Sequence, residues 1–466
     1  LSEAETARVT YDLMGYRHRV MTMFERLIRI RDYNRETPAL AWSFLYFFCL
    51  LSGYYVLRPV RDAMGAASEV EAVFPPAMIS FFAAYGIPLK ELILQVLSTC
   101  SFAMILAAQP VYGALVSRFP RRVFLPVLLG FFILCLIVFY TLFDSRIEGR
   151  GLVFFVWVTV FNVFSVAVFW SFMADVFSNA EARRYYGYIG AAGTVGAFTG
   201  PILTRTLAVE IGLANLMLVS AAFLTVCVVC IWRLRHWAMR REAEIGRDNE
   251  SAMGGEVLAG LKLIAKEPLL RWLAIMVFLG VGIGQLLYNQ QAEIARTGFS
   301  TAEERTAYFA TIDIAVNVLT LFVQLFATRW LLTRFGLGAV LLIPMAALLL
   351  GFAVLTASPL PILIGVVQVV TRSNEFSLMK PGRETIYTRV DRQWRYKAGA
   401  AIDTAFFRGG EITFSWTYKA LSVFGSSVVF GAGFLAAIVM TFSALRLLRE
   451  QDKLPVDRVS GPAGQI

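Results

Sequence analysis

Charged residues are scarce in this chain of 466 residues. They make up 16% of the sequence, against about 25% in a typical soluble domain, whereas hydrophobic residues make up 58%. The mean hydropathy is +0.64. Hydrophobic runs of about 20 residues recur along the chain, which is the length of a membrane-spanning helix. This composition excludes an ordinary soluble domain and predicts an all-α membrane protein.

The residues that usually build catalytic or metal sites are also sparse. The chain has two histidines and five cysteines, and all the cysteines fall in hydrophobic stretches. Cys227 and Cys230 form a CxxC pair, but a second pair or a nearby histidine is missing. There is no phosphate-binding GxxxxGK[ST] loop. The sequence therefore predicts no metal, no cofactor and no enzymatic activity. Despite the net charge of +10, it offers no soluble basic domain for nucleic acid.

Hydropathy predicts twelve transmembrane helices arranged as two six-helix bundles. Six spans fall in the first half, at residues 38–60, 94–116, 123–143, 152–177, 185–208 and 212–234. Six more fall in the second half, at residues 268–290, 306–330, 336–357, 359–380, 397–421 and 424–447. A further apolar piece, residues 74–85, contains two prolines and is too short to cross the membrane.

The predicted domains follow from these spans. They are an amphipathic amino-terminal segment 1–37, a bundle 38–234, a charged linker 235–267, a second bundle 268–450 and a tail 451–466. Lysine and arginine are concentrated in alternate loops, which places both termini in the cytoplasm. Segment 1–37 has an apolar stripe opposite arginines, and it lies either on anionic lipid or on the cytoplasmic face of the protein itself.

The first span ends in cations. Tyr54, Arg58 and Arg61 lie at positions i, i+4 and i+7, so a helix presents them on one face, and Asp62 follows directly. Pro59 lies beside that face and removes one backbone hydrogen bond. An arginine inside a membrane helix is costly unless a cavity or a partner solvates it, so this cluster is a candidate functional site.

The second half has its own polar cluster in spans ten and eleven. Its members are Arg372, Glu375, Lys380, Arg383, Asp403, Arg408 and Glu411. Arg408 and Glu411 are three residues apart and are predicted to pair, either as a structural ion pair or as part of a binding or gating site. Lys380 and Arg383 either face a cavity or extend their charges towards the lipid headgroups.

A cavity rich in guanidinium groups favours an anionic substrate, because these groups match the oxygens of phosphate and carboxylate. The predicted substrate-binding residues are Arg58, Arg61, Tyr54, Lys380, Arg383 and Arg408. The predicted coupling or gating residues are Asp62, Asp403, Glu411 and Glu375. A membrane carboxyl group beside an arginine can exchange a proton as the cavity changes access.

The arrangement of the two halves resembles the major facilitator superfamily. Ser117-Arg118-Phe119 follows span two, and Thr333-Arg334-Phe335 follows span eight, at matching positions of the two halves. Parallel six-span repeats joined by a cytoplasmic linker are typical of that superfamily. The glycines and the proline of span five, residues 193–201, also resemble its pattern, although close helix packing explains them equally well.

Two stretches resemble the ATP/ADP translocase family of intracellular bacteria and plastids. They are YYVLRPVRD at residues 54–62 and KPGRETIYT at residues 380–388, and the second continues to the Arg408-Gly409-Gly410 run. The resemblance implies that Arg61 stands at the position of a lysine implicated in nucleotide binding. The chain departs from that family in having arginine there and no acidic residue within 158–168 of span four.

The sequence therefore predicts a monomeric secondary transporter of the bacterial inner membrane, divergent from the nucleotide exchangers (antiporters) that it resembles. Its predicted substrate is a small organic anion, such as a nucleotide or another phosphorylated metabolite, and its other predicted partners are protons and membrane lipids. One alternative is a proton-coupled exporter of amphipathic compounds with Asp403 or Glu411 as the proton carrier. Another is a membrane sensor or scaffold that transports nothing.

Overall fold

A computed structural model describes residues 38–118, 121–177, 179–245, 257–387, 398–399 and 401–453, and in these residues all regular structure is helical. We refer to residues 38–245 as the first half and to residues 257–453 as the second half. The predicted amphipathic segment 1–37, the centre of the predicted linker and the end of the tail lie outside the described residues.

The first half contains seven numbered helices and one 3₁₀ turn, at Leu89–Leu92. The helices are α1 (Pro38–Gly65), α2 (Val70–Val73), α3 (Pro76–Ala84), α4 (Ile93–Arg118), α5 (Arg121–Asp144), α6 (Arg150–Val176) and α7 (Asn179–Ile245). The short α3 occupies the apolar piece that is predicted not to cross. The long α7 is interrupted at Gly212, where φ is 78°. Glycine adopts this left-handed backbone conformation without the steric cost of a side chain.

The second half is helical in the same way. Its helices are α8 (Val257–Lys266), α9 (Pro268–Gly298), α10 (Ala302–Val323), α11 (Arg329–Arg334), α12 (Gly336–Ala357), α13 (Pro361–Asn374), α14 (Lys380–Tyr387), α15 (Phe407–Ser422) and α16 (Ser426–Asp452). Across the described residues, nine helices are long and apolar enough to cross a membrane, with Arg184–Met239 counted as one. Helical structure extends into both ends of the predicted linker, as the end of α7 and as α8.

Three π-helical segments interrupt the second half, at Gln324–Thr328, Glu375–Met379 and Ile402–Phe406. The first two lie against each other, because the Thr328 hydroxyl donates a hydrogen bond to the Ser377 carbonyl at 2.9 Å. Pro381 is the second residue of α14, just after the π turn in which the Lys380 N–H bonds to the Glu375 carbonyl, so its missing N–H removes one hydrogen bond from a ladder that has already shifted. The helix therefore continues to Tyr387 instead of ending at the proline.

The apolar core is divided between the halves. The buried residues of one large cluster all fall between positions 39 and 238, and those of the other fall between positions 264 and 447. In the first cluster, glycines allow α7 to approach α1 closely. A Cβ atom on Gly196 would lie 2.5 Å from the Phe48 carbonyl oxygen, and one on Gly200 would lie 2.5 Å from the Tyr55 Cβ atom. Close packing thus accounts for Gly196 and Gly200 of predicted span five.

One group of contacts between the two halves lies near the residues where α1 ends. Ala63, Ala66 and Leu94 of the first half form an apolar cluster with Ala292, Ala295 and Phe309 of the second. The buried Gln95 side chain donates hydrogen bonds to the Asn289 side chain at 3.2 Å and to the Ser415 carbonyl at 3.1 Å. At the rim, Lys419 pairs with Glu91 at 2.6 Å. We call this set of contacts the interhalf seal.

Candidate functional site

A cavity of about 270 Å³ lies between the two halves. Helices α1, α4 and α6 line it from the first half, and α9, α12, α13, α15 and α16 line it from the second. Its charged lining residues are Arg58, Arg61, Arg372, Arg408, Glu375 and Glu411. Phe102, Phe155 and Phe407 contribute apolar surface. The cavity combines a few charged groups with apolar walls, which is typical of small-molecule sites.

One buried carboxylate links arginines from different parts of the chain. Arg58 Nη1 lies 3.1 Å from Asp313 Oδ1, and Arg372 Nη2 lies 2.8 Å from the same oxygen. The Asp313 side chain is 1% exposed, whereas each arginine side chain is about one sixth exposed. Arg58 belongs to α1, Asp313 to α10 and Arg372 to α13. This triad therefore ties the first half to the second at the cavity wall.

Arg61 is held by a second carboxylate. Its guanidinium contacts Asp62 Oδ1 at 2.6 Å, and the Tyr288 hydroxyl of α9 donates a hydrogen bond to the same oxygen at 2.9 Å. The Arg61 guanidinium also lies over the Phe155 ring, 5.3 Å from its centroid. A cation over an aromatic face is attracted by the ring quadrupole. Asp62 thus fixes Arg61 at the cavity and contacts the second half through Tyr288.

On the opposite wall, Arg408 Nη1 pairs with Glu411 Oε2 at 2.7 Å. This is the pair that the three-residue spacing predicts. Glu375 of the second π segment also lines the cavity. Within the part of the chain that the structure describes, no lysine or arginine lies within ion-pair distance of the Glu375 carboxylate. Glu375 is therefore a cavity carboxylate without a direct cationic partner in the described residues.

The remaining predicted residues lie away from the cavity lining. Tyr54 is buried in the apolar cluster of the first half and packs edge-on against Tyr55. Lys380 is exposed. Arg383 Nη1 pairs with Asp403 Oδ1 at 3.1 Å, and the Asp403 side chain is 57% exposed.

Sequence reasoning did not select Arg372, Asp313 or Tyr288 as site residues. Arg372 and Asp313 carried a usable signal, because each is an ionisable residue within a predicted span. Their pairing with Arg58 depends on contacts between distant parts of the chain. Tyr288 carried no comparable signal, because a tyrosine in a hydrophobic span is unremarkable on its own.

Comparison with known proteins identifies the family of the fold. The sequence profile described as Major Facilitator Superfamily matches residues 70–380, which is more than half of the chain. The matched region contains α2 to α13 and most of the residues that line the cavity.

Curated relatives carry a more specific name. The "ADP,ATP carrier protein 1" of Chlamydia muridarum is 24% identical over 471 residues, which cover 86% of this chain and 85% of that protein. The chloroplastic "ADP,ATP carrier protein 1" of Arabidopsis thaliana is 23% identical over 415 residues, which cover 77% of this chain and 64% of that protein. Both are named as carriers and neither as an enzyme.

A solved structure shares the fold. The crystal structure of the nucleoside transporter NupG superimposes with a TM-score of 0.56 at 13% sequence identity, covering 89% of this chain and 99% of NupG. At this level of identity the similarity concerns the fold alone. The comparisons therefore show a membrane transporter rather than an enzyme, and they disfavour the sensor or scaffold alternative.

Proposed function

Because the chain belongs to the Major Facilitator Superfamily, we propose that it is a secondary transporter that carries a small organic anion by alternating access. The observation that carries this proposal is the group of four arginines around one cavity between the halves. Guanidinium groups in a site of restricted water access bind phosphate or carboxylate oxygens strongly. A site between two structural repeats is typical of transporters that rock around a central substrate.

The proposed architecture has twelve spans in bundles 38–234 and 268–450, joined by the linker 235–267. Three observations support this number beyond the nine apolar helices. The break at Gly212 divides the long Arg184–Met239 helix into two spans. The charged segments from Pro361 to Tyr387 and from Ile402 to Ser422 each have the length of a span. With both termini in the cytoplasm, the interhalf seal lies on the periplasmic side of a bacterial inner membrane.

A nucleotide or another phosphorylated metabolite is the proposed class of cargo. The relatives that align with most of this chain are named ADP,ATP carriers, which supports a nucleotide. Arg61 contributes to the cavity and stands where the resemblance places a nucleotide-binding lysine.

In the proposed mechanism, the substrate anion competes with the carboxylates of the protein for the arginines of the cavity. Asp313 holds Arg58 and Arg372, while Asp62 holds Arg61 and also lies 3.9 Å from Arg58. An incoming anion takes over part of this guanidinium coordination, so the tie between the halves loosens as the substrate binds. The equilibrium between the two access states shifts only as far as the substrate binds them with different affinities.

The other predicted residues have proposed roles at the rim of this network. Arg408 and Glu411 form the opposite wall, where Glu411 orients the arginine. Lys380 and the Arg383–Asp403 pair follow α13 along the chain. We assign them to the path by which substrate reaches the cavity, with Asp403 as the gating carboxylate of that path.

Uptake into proteoliposomes tests the proposal. Vesicles preloaded with unlabelled anion are supplied with labelled nucleotides, sugar phosphates or dicarboxylates, with and without a proton gradient. We expect saturable uptake of at least one anion, reduced at least tenfold by Arg58→Ala and by Arg61→Ala. Arg446→Ala is the matched control, because this arginine is exposed near the end of α16 and does not line the cavity.

The alternative of a proton-coupled exporter of amphipathic compounds rests on a separate observation. The cavity has phenylalanine walls and one carboxylate, Glu375, without a direct cationic partner in the described residues. A protonatable carboxyl group in an apolar pocket suits proton coupling. Glu375 takes this role in place of the predicted carriers Asp403 and Glu411, which pair with Arg383 and Arg408. Gradient-driven transport of uncharged dyes that is unaffected by Arg58→Ala and abolished by Glu375→Gln would support the exporter and contradict the anion carrier.

A further inference from the structure

We infer that the cavity selects organic monoanions over polyanions such as nucleoside di- and triphosphates. The inference rests on the proposed function, since it concerns the charge of the anion that the arginines bind. Within the proposed cargo class it favours phosphodiesters, which carry one charge, over nucleotides with a terminal phosphate, and it departs from the cargo in the names of the relatives. Its basis is the number of charges around the cavity.

Among the residues that the structure describes, positive and negative groups are equal in number around this cavity. Four guanidinium groups line it: Arg58, Arg61, Arg372 and Arg408. Four carboxylates line it or pair with these arginines: Asp62, Asp313, Glu375 and Glu411. Within the described residues, the formal charge of this network is therefore zero when all eight groups are ionised. A cavity that looks strongly cationic from its arginines alone is balanced once their partners are included.

The distribution of the pairs leaves one positive charge available. Arg408 pairs with Glu411. Arg61 pairs with Asp62, whose other carboxylate oxygen also lies 3.9 Å from Arg58 Nε. Arg58 and Arg372 share the single carboxylate of Asp313, and both contact the same oxygen atom. Arg58, Arg61 and Arg372 therefore share the two carboxylates of Asp62 and Asp313, which leaves one positive charge without a directly paired carboxylate in this linked group. One negative charge on the substrate completes this part of the network.

A second negative charge on the substrate has no further unpaired guanidinium group to bind around the cavity among the described residues. A second or third charge must either displace Asp62 or Glu411 from its arginine or approach the Glu375 carboxylate, which lines the same cavity. Burying an uncompensated charge away from water is costly, and like charges at short range repel. We therefore expect affinity to fall as negative charge is added to a constant molecular body.

A series of ligands with one body and increasing charge tests the inference. The probes are adenosine 3′,5′-cyclic monophosphate, AMP, ADP and ATP, together with benzoate, isophthalate and benzene-1,3,5-tricarboxylate as a second body. Binding to the purified full-length chain is measured by thermal stabilisation and by competition with the anion that is transported in proteoliposomes. Any ligand that prefers the folded state raises the apparent stability. We expect roughly tenfold weaker binding for each added charge, from the same electrostatic cost.

Two variants separate the effect of charge from the effect of packing. Asp313→Asn and Glu375→Gln each remove one negative charge from the network, at different positions and with little change in shape. We expect both to shift the preferred ligand towards one more negative charge. Asp452→Asn is the control, because this carboxylate is exposed at the end of α16 and lies outside the cavity lining. If Asp313→Asn does not fold, Glu375→Gln alone still tests the expectation.

The outcomes distinguish the inference from the proposal on which it rests. Tighter binding of ADP and ATP than of the monoanion, or an unchanged preference in both variants, overturns the inference and leaves an anion carrier in place. If no anion of either series binds or competes, and Arg58→Ala has no effect on transport, the proposed function itself fails and the inference fails with it.

Discussion

Replacing Gln95 with leucine is expected to loosen the interhalf seal while leaving each half folded. The Gln95 side chain is buried, and its Nε2 atom donates to the Asn289 side chain and to the Ser415 carbonyl. Both acceptors belong to the second half, whereas Gln95 belongs to α4 of the first. Leucine has a similar volume and fills the same space without donating a hydrogen bond. The substitution thus removes polar contacts that exist only while the seal is closed.

The size of the effect follows from the two hydrogen bonds. Each contributes about 1 kcal/mol net, and a buried acceptor that loses its donor also bears a desolvation cost. A loss of about 2 kcal/mol from the closed state raises the ratio of open to closed molecules roughly 30-fold, since 1.4 kcal/mol corresponds to tenfold. In the open state, water solvates Asn289 and the Ser415 carbonyl, so the penalty does not apply there.

The assay is the rate at which a cysteine in the seal reacts with a maleimide. Ala292→Cys places the thiol in the buried apolar cluster of the seal, in a background carrying Cys100→Ser and Cys135→Ser, which removes the two half-buried native thiols. We expect labelling up to about 30-fold faster with Gln95→Leu, because labelling follows the open population when opening is fast. Thr417→Val is the control, since its exposed hydroxyl donates only within its own helix, to the Thr413 carbonyl. Equal labelling rates in the Gln95→Leu protein and its parent would refute the reasoning.

Two further predictions concern helix packing and a peripheral ion pair. Gly196→Ala is expected to lower the free energy of unfolding by about 1–3 kcal/mol, because the added methyl group meets the Phe48 carbonyl. Gly190→Ala is the control, because it lies on the same helix and its added Cβ has no atom within 4 Å. Its stability, measured by thermal unfolding in detergent, should be unchanged or slightly raised. Equal losses of stability in both variants would contradict the packing argument. Asp403→Asn breaks the pair with Arg383 at an exposed side chain, so stability should change by less than about 1 kcal/mol. A drop of several degrees in its Tm would show that the pair is structural.

The helical character of the chain and most of the charged residues that line the cavity can be predicted from the sequence. Long apolar runs predict membrane helices because an uncharged stretch of about 20 residues is stable in lipid. Arg58, Arg61 and Arg408 are identifiable because a charge in such a run requires a polar environment. The same reasoning identified Glu375 and Glu411, and all five of these residues line the cavity.

What the sequence could not supply is the partner of each charge. Arg58 and Asp313 are separated by more than 250 positions in the chain, and only the packing of α1 against α10 brings them to 3.1 Å. Tyr54 shares a predicted helix face with Arg58, yet neighbouring helices bury it in the core of the first half. A cationic site was therefore predictable, whereas its charge balance was not.

The π segments affect how residues of this chain are matched to those of its relatives. A π turn closes its hydrogen bonds between residues i and i+5, whereas an α turn closes them between residues i and i+4. A π turn therefore contains one more residue than the α turn that it replaces. Each residue of an α-helix advances about 100° around the axis, because 3.6 residues make one turn. Suppose that a relative has a plain α-helix where this chain has the π segments Glu375–Met379 and Ile402–Phe406. An alignment without a gap then pairs a cavity residue of this chain with a residue on a different helix face of the relative. For such a relative, the residues that correspond to Arg383 and Arg408 are matched correctly only if the alignment places a one-residue gap inside the helix.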